Sequence, residues 1–331
     1  MKIIRVPIHA YYSGRSIYKR GFFKYIDSLE PDVLYVHGED TYIGVRSVLR
    51  LKKFKYPILF DDHMVDIASV NKLAPLFRLF YRKILAPIII KRRVTVIRTM
   101  EDDFVFRRYG IPLGQAPLLG FGSDTMLFHS DSIVRLEIRK ELSINDKDFV
   151  FIYAGKLDES KGGLFLAEAL LEKIPSLKDI TFLIVGNYIG DYGNKTLQKF
   201  KQSENNIIRI STKPYSMLAP YFQCADAALF PKQCSLTYFD AQACGLPVVI
   251  EDNNINIKRI DHKNGVLFKG NDTEDFREKI SQLANMPLDE FIQMRLSSEA
   301  HIRQHYNYMD IAEKYIEIIK EAKKGWRKSW L

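Results

Sequence analysis

A chain of 331 residues is long enough for two domains, because a single hydrophobic core rarely grows beyond about 250 to 300 residues. Its 47% hydrophobic and 27% charged residues exclude a disordered or fibrous chain. The net charge of +9 belongs to residues 1–110, where 21 Lys and Arg stand against 11 Asp and Glu; the rest of the chain carries 28 against 29. This asymmetry suits an anionic membrane surface or an acidic ligand, and the sequence carries no nucleic-acid-binding motif.

The start of the chain and its cysteines predict a cytoplasmic protein. Residues 1–15 contain no apolar run typical of a signal peptide. The longest apolar run, ILAPIII at 84–90, is far short of the ~20 residues that span a bilayer. Cys224, Cys234 and Cys244 match no zinc spacing, and their odd number argues against a disulfide framework. We expect them to be buried free thiols.

Short β-branched runs alternate with amphipathic stretches along the chain. The first series of predicted strands lies at 32–38, 56–63, 93–99 and 116–122. The second series lies at 148–156, 180–187, 206–212, 226–232, 246–252 and 265–270. Continuous apolar strands that alternate with helices are typical of parallel sheets covered on both faces. Two such series predict an α/β protein with two doubly wound domains.

The polar segment 129–148 lies between the two series and is expected to hold the domain boundary. We predict an N-terminal Rossmann-like domain at 1–140, a C-terminal Rossmann-like domain at 141–305, and a last helix with a basic tail at 306–331. The apolar residues of this helix recur at the spacing of one helical face, at Ile311, Tyr315, Ile318 and Ile319. The helix can therefore pack back on the first domain.

Candidate binding residues follow the predicted strands, because ligands of open α/β sheets lie beyond the carboxyl ends of the strands. In GKLDESKGG, Gly155 ends a strand, and Lys156 and Lys161 flank an acidic turn before a helix. Lysines beside a helix N-terminus suit a diphosphate, because exposed N–H groups and the helix dipole add to their charge. The alternative is a solvated turn with surface lysines.

The stretch QCSLTYFD at 233–240 is the second candidate. It precedes a helix, so the N–H groups of Ser235, Leu236 and Thr237 could face an anion, with Ser235 or Thr237 as the N-cap. Asp240 lies about one turn into the helix and could accept hydrogen bonds from two vicinal hydroxyls. The alternative is a capped helix with Asp240 on its solvent-exposed face.

These stretches resemble one family in order and spacing. FIYAGKLDESKG, FLIVGN, YFQCADAALFPK, FDAQACGLPVV and NGVLFKGND resemble the C-terminal domain of family 4 glycosyltransferases, the glycosyl transferases group 1, which have the GT-B fold. EPDVLYVHG, YPILFDDH, EDDFVFRRYGIP and LGFGSDTMLF resemble the N-terminal domain, and YNYMDIAEKYIEIIKEA resembles the closing helix. The resemblance covers residues 29–322. It implies two Rossmann-like domains facing a cleft, with the C-terminal helix crossing back to the first domain.

The resemblance implies a metal-independent enzyme without a cofactor that transfers a hexosyl-type sugar with retention of configuration. The donor would be a nucleotide diphosphate sugar and the acceptor a glycan or lipid, in cell-surface polysaccharide biosynthesis. Without a metal, cationic side chains and helix N-termini must stabilise the leaving diphosphate. Lys161 matches the family's lysine, and Lys156 replaces its usual arginine, which keeps the charge but loses bidentate geometry. Asp240 replaces the glutamate that holds the donor ribose.

Lys232 replaces the family's other glutamate, which contacts the transferred sugar. A lysine cannot accept a hydrogen bond from a sugar hydroxyl, although it can donate one or pair with a carboxylate. Three explanations stay open: a donor with an acidic or unusual sugar, transfer of the hydroxyl contacts to Gln233, or lost activity. The resemblance also places Asn187 near the nucleotide, and Thr212 and Lys213 beside the base.

His63 in FDDHMVD matches the family's histidine that faces the donor sugar across the cleft. A neutral imidazole there could hydrogen-bond the sugar or the developing charge. His63, Lys161 and Lys156 are therefore the implied catalytic residues. We expect His37 to be buried at the end of its strand and Glu39 to reach the acceptor.

The first domain is shorter than the family pattern by about 60 residues on an alignment by eye. KIIRVP at 2–7 is either the family's third strand or a reduced first strand, with YYSGRS as a minimal loop. A natural fragment is the third explanation.

Two basic segments fit a membrane surface. LFRLFYRKILAPIIIKRR at 76–93 and KKGWRKSWL at 323–331 mix basic with aromatic and aliphatic residues, as do segments that lie on anionic membranes. The alternatives are a helix packed on the sheet and a frayed terminus. We predict a cytoplasmic glycosyltransferase, peripheral on the inner face of the cell membrane. The alternative function is a non-catalytic GT-B protein that binds a nucleotide or a partner transferase.

Overall fold

The computed structural model describes residues 3–12, 15–65, 72–232, 236–260 and 263–326. The chain divides by its internal contacts into two compact units. Unit 1 comprises Met1–Gly120 and Ile311–Leu331, and unit 2 comprises Phe121–Asp310. The domain limits expected from the sequence stay a prediction.

The secondary structure follows the alternation expected from the sequence. The strands are β1 (Ile8–Tyr12), β2 (Arg15–Tyr18), β3 (Leu34–His37), β4 (Ile58–Asp62), β5 (Val96–Arg98), β6 (Phe149–Ala154), β7 (Ile180–Val185), β8 (Asn206–Ile210), β9 (Ala227–Phe230), β10 (Val248–Glu251) and β11 (Gly265–Phe268). The α-helices are α1 (Phe22–Ser28), α2 (Tyr42–Arg50), α3 (Ala74–Phe80), α4 (Ala86–Lys91), α5 (Ser132–Glu141), α6 (Gly163–Ala169), α7 (Gly190–Lys201), α8 (Ala219–Gln223), α9 (Thr237–Ala243), α10 (Asn254–Arg259), α11 (Thr273–Ala284), α12 (Leu288–His305) and α13 (Tyr308–Trp326). Short 3₁₀ and π turns lie at Leu51–Lys53, Tyr81–Leu85, Val105–Tyr109, Leu113–Gln115, Glu159–Lys161 and Tyr215–Met217.

Unit 1 is built on a parallel sheet in the order β3–β4–β5. The central strand β4 is buried along its whole length, as expected for a strand covered on both faces. One face packs on a core that includes Val48, Tyr81, Leu85 and Phe104. The predicted strands at 32–38, 56–63 and 93–99 are therefore confirmed.

Two predictions for unit 1 are wrong. Residues 3–7 carry no strand, and among the described residues β1 and β2 form a separate antiparallel pair, so neither strand assignment holds for the described part of KIIRVP, and the third explanation stays open. Residues 116–122 form no strand either, because only Leu118 bridges to Arg98. Pro117 has no N–H to donate to a ladder and contributes its carbonyl alone, which accepts from Arg98 at 2.9 Å.

Unit 2 contains a parallel sheet in the order β11–β10–β9–β6–β7–β8. Successive residues of β6 pack alternately into two different hydrophobic clusters: Val150, Ile152 and Ala154 belong to one, and Phe149, Phe151 and Tyr153 to the other. Because side chains of a strand alternate between the faces of its sheet, this sheet is covered on both faces. The prediction of a doubly wound sheet from the second series of strands is confirmed.

Helix α13 packs on unit 1 from Ile311 onward. Its side chains Tyr315, Ile318 and Ile319 pack against Leu59 and Ile97 of the parallel sheet. The predicted return of the last helix to the first domain is therefore confirmed. The last five residues of the basic tail lie outside the described residues. Within the described part of the chain, no helix combines the length and the apolar character needed to cross a bilayer.

Candidate functional site

The carboxyl ends of β6 and β9 lie side by side, because these strands are neighbours in the parallel sheet. The sheet continues from β6 to β7 on one side and from β9 to β10 on the other. This is the topological switch point, where open α/β sheets bind their ligands. The loop after β6 carries Lys156 and Lys161, and the loop after β9 carries Lys232. The structure thus places the three lysines singled out in the sequence on two adjoining loops.

The two loops touch at Gly162 and Lys232. Gly162 has a φ of +70°, and a Cβ atom at this position would lie 3.1 Å from the Cβ of Lys232. Glycine is required here both by the left-handed backbone and by this close approach. Lys232 Nζ donates a hydrogen bond to the carbonyl oxygen of Glu159 at 3.3 Å. Lys232 therefore helps to hold the two loops together.

Asp158 shapes the turn that carries Lys161. Its carboxylate accepts a hydrogen bond from the backbone N–H of Lys161 at 3.1 Å, and the turn leads into α6. The Lys156 side chain is exposed, and the backbone carbonyl of Lys156 accepts a hydrogen bond from the Tyr153 hydroxyl at 2.6 Å. The local geometry is that of a structured turn rather than a loose loop.

Lys232 also lies near a carboxylate that the sequence did not single out. Burial raises the pKa of Glu251, at the end of β10, and the positive charge of Lys232 opposes this rise. The backbone of Gly270 approaches Glu251 closely, since a Cβ atom there would lie 2.8 Å from Oε1. Because β10 is the neighbour of β9, their carboxyl ends lie next to each other. The sheet order would therefore have indicated that Glu251 lies near Lys232.

Asp240 lies in the first turn of α9 and is 1% exposed. Its Oδ1 accepts hydrogen bonds from the Ser123 hydroxyl at 2.7 Å and from the Tyr215 hydroxyl at 3.1 Å. Its Oδ2 has no hydrogen-bond partner among the described residues. Burial raises the pKa of Asp240 to about 6, against the two hydrogen bonds, which lower it. One carboxylate oxygen is therefore fixed in the protein, and the other keeps its capacity to accept hydrogen bonds.

Asn187 and Thr212 form a reciprocal pair at the ends of β7 and β8. The N–H of Asn187 donates to Thr212 Oγ1 at 3.0 Å, and the N–H of Thr212 donates to Asn187 Oδ1 at 3.1 Å. Both residues are exposed. Lys213 follows with its Nζ 5.8 Å from the centre of the Tyr221 ring. The structure brings Asn187 and Thr212 together at the same edge of the sheet as the lysine loops.

Arg209 on β8 is a further residue of this edge that the sequence did not single out. Its Nη2 donates to the Gly186 carbonyl at 3.1 Å, and the guanidinium packs over the Tyr188 ring at 5.7 Å. Burial lowers the pKa of Arg209, and its Nε and Nη1 have no hydrogen-bond partner among the described residues. An arginine within an apolar strand, NIIRI, is the signal that could have identified it.

The predictions for the start of α9 have different outcomes. Gln233 and Ser235 lie outside the described residues, as does Cys234. Thr237 is not an N-cap: α9 begins at Thr237 itself, and the Thr237 hydroxyl donates to the Ala154 carbonyl at 3.2 Å. Leu236 takes the N-cap position without a side-chain hydrogen bond and is exposed. The threonine thus ties the helix to β6 instead of closing its own first turn.

His63 lies just beyond β4 in unit 1. Its Nδ1 is 2.8 Å from Thr99 Oγ1, and its Nε2 is 3.1 Å from Asp61 Oδ2. The hydrogen bond to Asp61 raises the pKa of His63, although burial opposes the rise. The expected neutral imidazole is therefore not the form that this carboxylate favours.

The expectations for His37 and Glu39 are wrong. The His37 side chain is 79% exposed, and its Nδ1 lies 2.6 Å from Asp61 Oδ2. Glu39 is fully buried, with no hydrogen-bond partner for either carboxylate oxygen among the described residues. Burial, followed by repulsion from Asp62 and Asp40, raises the pKa of Glu39 well above its ordinary value. Glu39 cannot reach an acceptor in this conformation.

A separate cavity of about 650 Å³ lies at the opposite edge of the unit 1 sheet, beside Ile58 at the start of β4. Its wall contains the basic residues Lys91, Arg92 and Arg93 and the indole of Trp326. None of the site residues expected from the sequence lines it.

Part of unit 2 is similar to a known protein family. Residues 148–286 match the model of a family described as Glycosyl transferases group 1. This segment contains all six strands of the unit 2 sheet and both lysine loops.

Curated relatives include a mannosyltransferase and an alpha-monoglucosyldiacylglycerol synthase. The chain is 22% identical over 238 residues to a GDP-mannose-dependent monoacylated alpha-(1-6)-phosphatidylinositol monomannoside mannosyltransferase of Corynebacterium glutamicum, covering 68% of this chain and 62% of the relative. It is 22% identical over 273 residues to the alpha-monoglucosyldiacylglycerol synthase of Acholeplasma laidlawii, covering 77% and 68%. The chain thus spans about two thirds of the length of these relatives.

Solved structures with the same fold include glycosyltransferases. The Anabaena protein HepE in complex with UDP has a TM-score of 0.74 at 16% identity, over 90% of this chain and 81% of that one. A glycosyltransferase of Rickettsia africae has a TM-score of 0.72 at 17% identity, over 90% and 79%. The chain therefore has the GT-B fold, and its residues 148–286 are similar to the glycosyl transferases group 1 family.

Proposed function

We propose that this chain is a glycosyltransferase that moves a sugar from a nucleotide diphosphate sugar to a glycan or lipid-linked acceptor, with retention of configuration. The observation that carries the proposal is the family match, which spans the switch point with the loops that carry Lys161 and Lys232 and the helix α9 that carries Asp240. The complexes of HepE with UDP and with UDP-glucose support a nucleotide sugar as the donor class. A role in cell-surface polysaccharide biosynthesis is part of the proposal.

In this proposal the diphosphate lies against the loops after β6 and β9. The bond between the anomeric carbon and the diphosphate oxygen breaks, the acceptor oxygen bonds to that carbon, and the acceptor proton leaves with the nucleoside diphosphate. Negative charge grows on the diphosphate as the bond breaks, and Lys156 and Lys161 stabilise it without a metal ion. Asp158 holds the backbone of the turn that carries Lys161, which supports this role.

The nucleoside would be held at the same edge of the sheet. Asp240 Oδ2 is buried and has no hydrogen-bond partner among the described residues, so in this proposal the residues around it move to admit a ribose hydroxyl. The Asn187–Thr212 pair presents polar groups for the base. Lys213 would border the base. For His63 we propose a contact to the transferred sugar.

A donor panel tests this function. The purified chain is titrated with UDP-, GDP-, CDP- and TDP-sugars, and turnover is followed as release of the nucleoside diphosphate. We expect one donor to bind and turn over, with binding weakened at least about tenfold in Lys161→Ala, since a desolvated charge-assisted contact is lost. Lys195→Ala, an exposed lysine on α7, is the matched control and should bind like the wild type. Absence of binding to every donor would refute the site.

A non-catalytic GT-B protein is the second candidate, and the position of Lys232 favours it. Lys232 Nζ is engaged by the Glu159 carbonyl, so it is not fully available to a sugar. This candidate predicts that a free nucleoside diphosphate binds as tightly as its sugar conjugates and that none of the donors turns over.

We further propose that the α3–α4 face of unit 1 lies on an anionic membrane. Of the two alternatives for this stretch, packing on the core of unit 1 applies to Tyr81 and Leu85, which are buried, whereas Leu73, Leu76 and Leu79 are 55–66% exposed. Lys72, Arg82 and Lys83 lie close to these leucines in the sequence, and all three are exposed. Apolar side chains beside basic ones suit the headgroup region of an anionic bilayer.

Co-sedimentation with vesicles tests the membrane surface. Wild-type chain should sediment with phosphatidylserine-containing vesicles and not with pure phosphatidylcholine, and the double variant Leu76→Ser/Leu79→Ser should lose most of this binding. Leu177→Ser, at a leucine of unit 2 that is 93% exposed, is the control and should bind like the wild type. Equal binding by all three proteins would refute the assignment of the face.

A further inference from the structure

The register of the unit 1 sheet places three potential metal ligands on one face. His37 and Asp61 are direct partners in the parallel pairing of β3 with β4. His63 follows Asp61 by two residues, and side chains two apart along a strand point to the same side. The cluster of His37, Asp61 and His63 therefore follows from the strand register, and no local sequence motif indicates it.

The donor atoms of this cluster lie close together. Asp61 Oδ2 is 2.6 Å from His37 Nδ1 and 3.1 Å from His63 Nε2, and one donor atom from each residue lies within 4.8 Å of the others. Ligand atoms bound at about 2.1 Å in a tetrahedral zinc site stand roughly 3.4 Å apart. Small side-chain rotations reach this spacing, and the exposed His37 ring can make them.

The hydrogen bonds around His63 leave its Nε2 facing the carboxylate. The Thr99 hydroxyl donates its single proton to the Asp62 carbonyl at 2.8 Å. The same oxygen lies 2.8 Å from His63 Nδ1 and must accept there, so Nδ1 carries a hydrogen. In the neutral ring Nε2 then presents a lone pair to Asp61 Oδ2. Two lone pairs facing each other at 3.1 Å repel, unless a proton or a metal ion lies between them.

Thr99 has the role of an outer partner in a metal site, because a metal-bound histidine normally donates its other ring N–H to a protein acceptor. Asp61 is held as firmly: the Gly38 N–H donates to its Oδ1 at 2.6 Å, and the Tyr35 hydroxyl donates to its Oδ2 at 3.0 Å. Asp61 is buried, while the two histidine rings are open to solvent. An ion could therefore enter from solvent and keep a position for water.

We propose that His37, Asp61 and His63 bind one transition-metal ion of the zinc class through two imidazole nitrogens and one carboxylate oxygen. Imidazole ligands favour Zn²⁺, Co²⁺ or Ni²⁺ over Mg²⁺ and Ca²⁺, which prefer oxygen ligands throughout. A bound ion occupies His63 Nε2. If His63 contacts the transferred sugar, which rests on the proposed function, zinc and donor compete and zinc inhibits transfer.

Metal competition tests the site directly. An untagged chain, stripped with a chelator, is titrated with Zn²⁺ against a chromophoric chelator at neutral pH, with Mg²⁺ in a parallel titration. We expect one Zn²⁺ per chain, unaffected by excess Mg²⁺. His37→Ala should weaken binding roughly 100-fold, since even loss of an outer partner costs about 10- to 100-fold, and Thr99→Val should fall in that lower range. His9→Ala, at an exposed histidine of β1, is the control and should bind like the wild type.

Two results would overturn the proposal. The first is no uptake of Zn²⁺ by the wild-type chain, which would leave a proton between His63 and Asp61. The second is unchanged stoichiometry and affinity in His37→Ala, whose exposed side chain can be removed without unfolding the sheet. The readout is metal binding and needs no sugar donor. A chain that binds zinc but no nucleotide sugar therefore refutes the proposed function and supports the metal site. A chain that binds a nucleotide sugar but no zinc refutes the metal site and supports the proposed function.

Discussion

Replacing Asp240 with Asn tests the nucleotide site through its pH dependence. Burial raises the pKa of Asp240 to about 6 from an ordinary 3.8. Between these values the folded chain binds a proton more tightly than the unfolded chain does, so stability falls as pH rises from about 4 to about 6. The carboxylate therefore costs up to about 3 kcal/mol at neutral pH, since one pKa unit corresponds to about 1.4 kcal/mol.

Asn cannot ionise, so the variant should lack this loss of stability. We expect the difference in unfolding free energy between Asp240→Asn and wild type to move in favour of the variant by up to about 3 kcal/mol between pH 4 and pH 7. Denaturant unfolding at a series of pH values measures it. Ser123, Tyr215 and Tyr308, which surround the carboxylate, do not titrate in this range, and Asp124 is the carboxyl whose charge adds to the shift.

Donor binding should have the opposite pH dependence. A ribose hydroxyl that donates to Oδ2 needs an acceptor there, and the ionised carboxylate is the better one. The affinity for the tightest nucleotide sugar of the panel should fall toward about tenfold per pH unit below 6 in the wild type. The nucleotide sugar is a better probe than the free diphosphate, because a terminal phosphate itself titrates near pH 6.

Two results would refute this reasoning about Asp240. One is a donor affinity that is independent of pH between 4.5 and 7 in the wild type. The other is the same pH step in Asp240→Asn, which would assign the titration to another group. Retained affinity in Asp240→Asn at pH 7 would remove the ribose contact from the proposal while leaving the lysine loops untouched.

Three further substitutions probe the framework of unit 2. Arg139→Met should destabilise the chain by about 1 to 3 kcal/mol in denaturant unfolding, because it removes a buried guanidinium that donates to Asp226 Oδ2 at 2.7 Å and to the Asp148 carbonyl at 3.0 Å, although Arg135 still pairs with Asp226; no measurable loss would contradict this. Gly162→Ala should cost about 1 to 2 kcal/mol through its left-handed backbone and weaken donor binding, measured by melting and titration; an unchanged melting temperature would contradict it. Lys232→Glu introduces a hydroxyl acceptor near Glu251 and should change which donor of the panel is preferred; an unchanged preference would show that Lys232 does not select the sugar.

The sheets of both units could be predicted from the sequence because parallel strands are apolar along their whole length. The exception, 116–122, shows the limit of this signal: its apolar residues pack against the sheet edge, but Pro117 cannot join a ladder. The exposure of His37 could not be predicted either. The sequence shows which residue stands at the end of a strand, but the exposure of that residue depends on which loops cover it in the fold.

The environment of the candidate site depends on contacts between distant parts of the chain. Ser123 reaches Asp240 across 117 residues, and Arg139 reaches Asp226 across 87. Local pattern could indicate that Asp240 follows a buried strand and begins a helix. It could not show that a serine and a tyrosine hold one of its carboxylate oxygens, because these partners carry no signal near Asp240 in the sequence.

The partners of Asp240 connect the nucleotide site to the two ends of unit 2. Ser123 is the third residue of the unit, and its backbone pairs with the segment that leads out of it: the Ser123 N–H donates to the Tyr306 carbonyl at 2.9 Å, and the Tyr308 N–H donates to the Ser123 carbonyl at 3.0 Å. The side chain of the same serine donates to Asp240. A ligand that binds Oδ2, or a proton that neutralises it, therefore acts on the carboxylate that fastens the entering and leaving segments to α9.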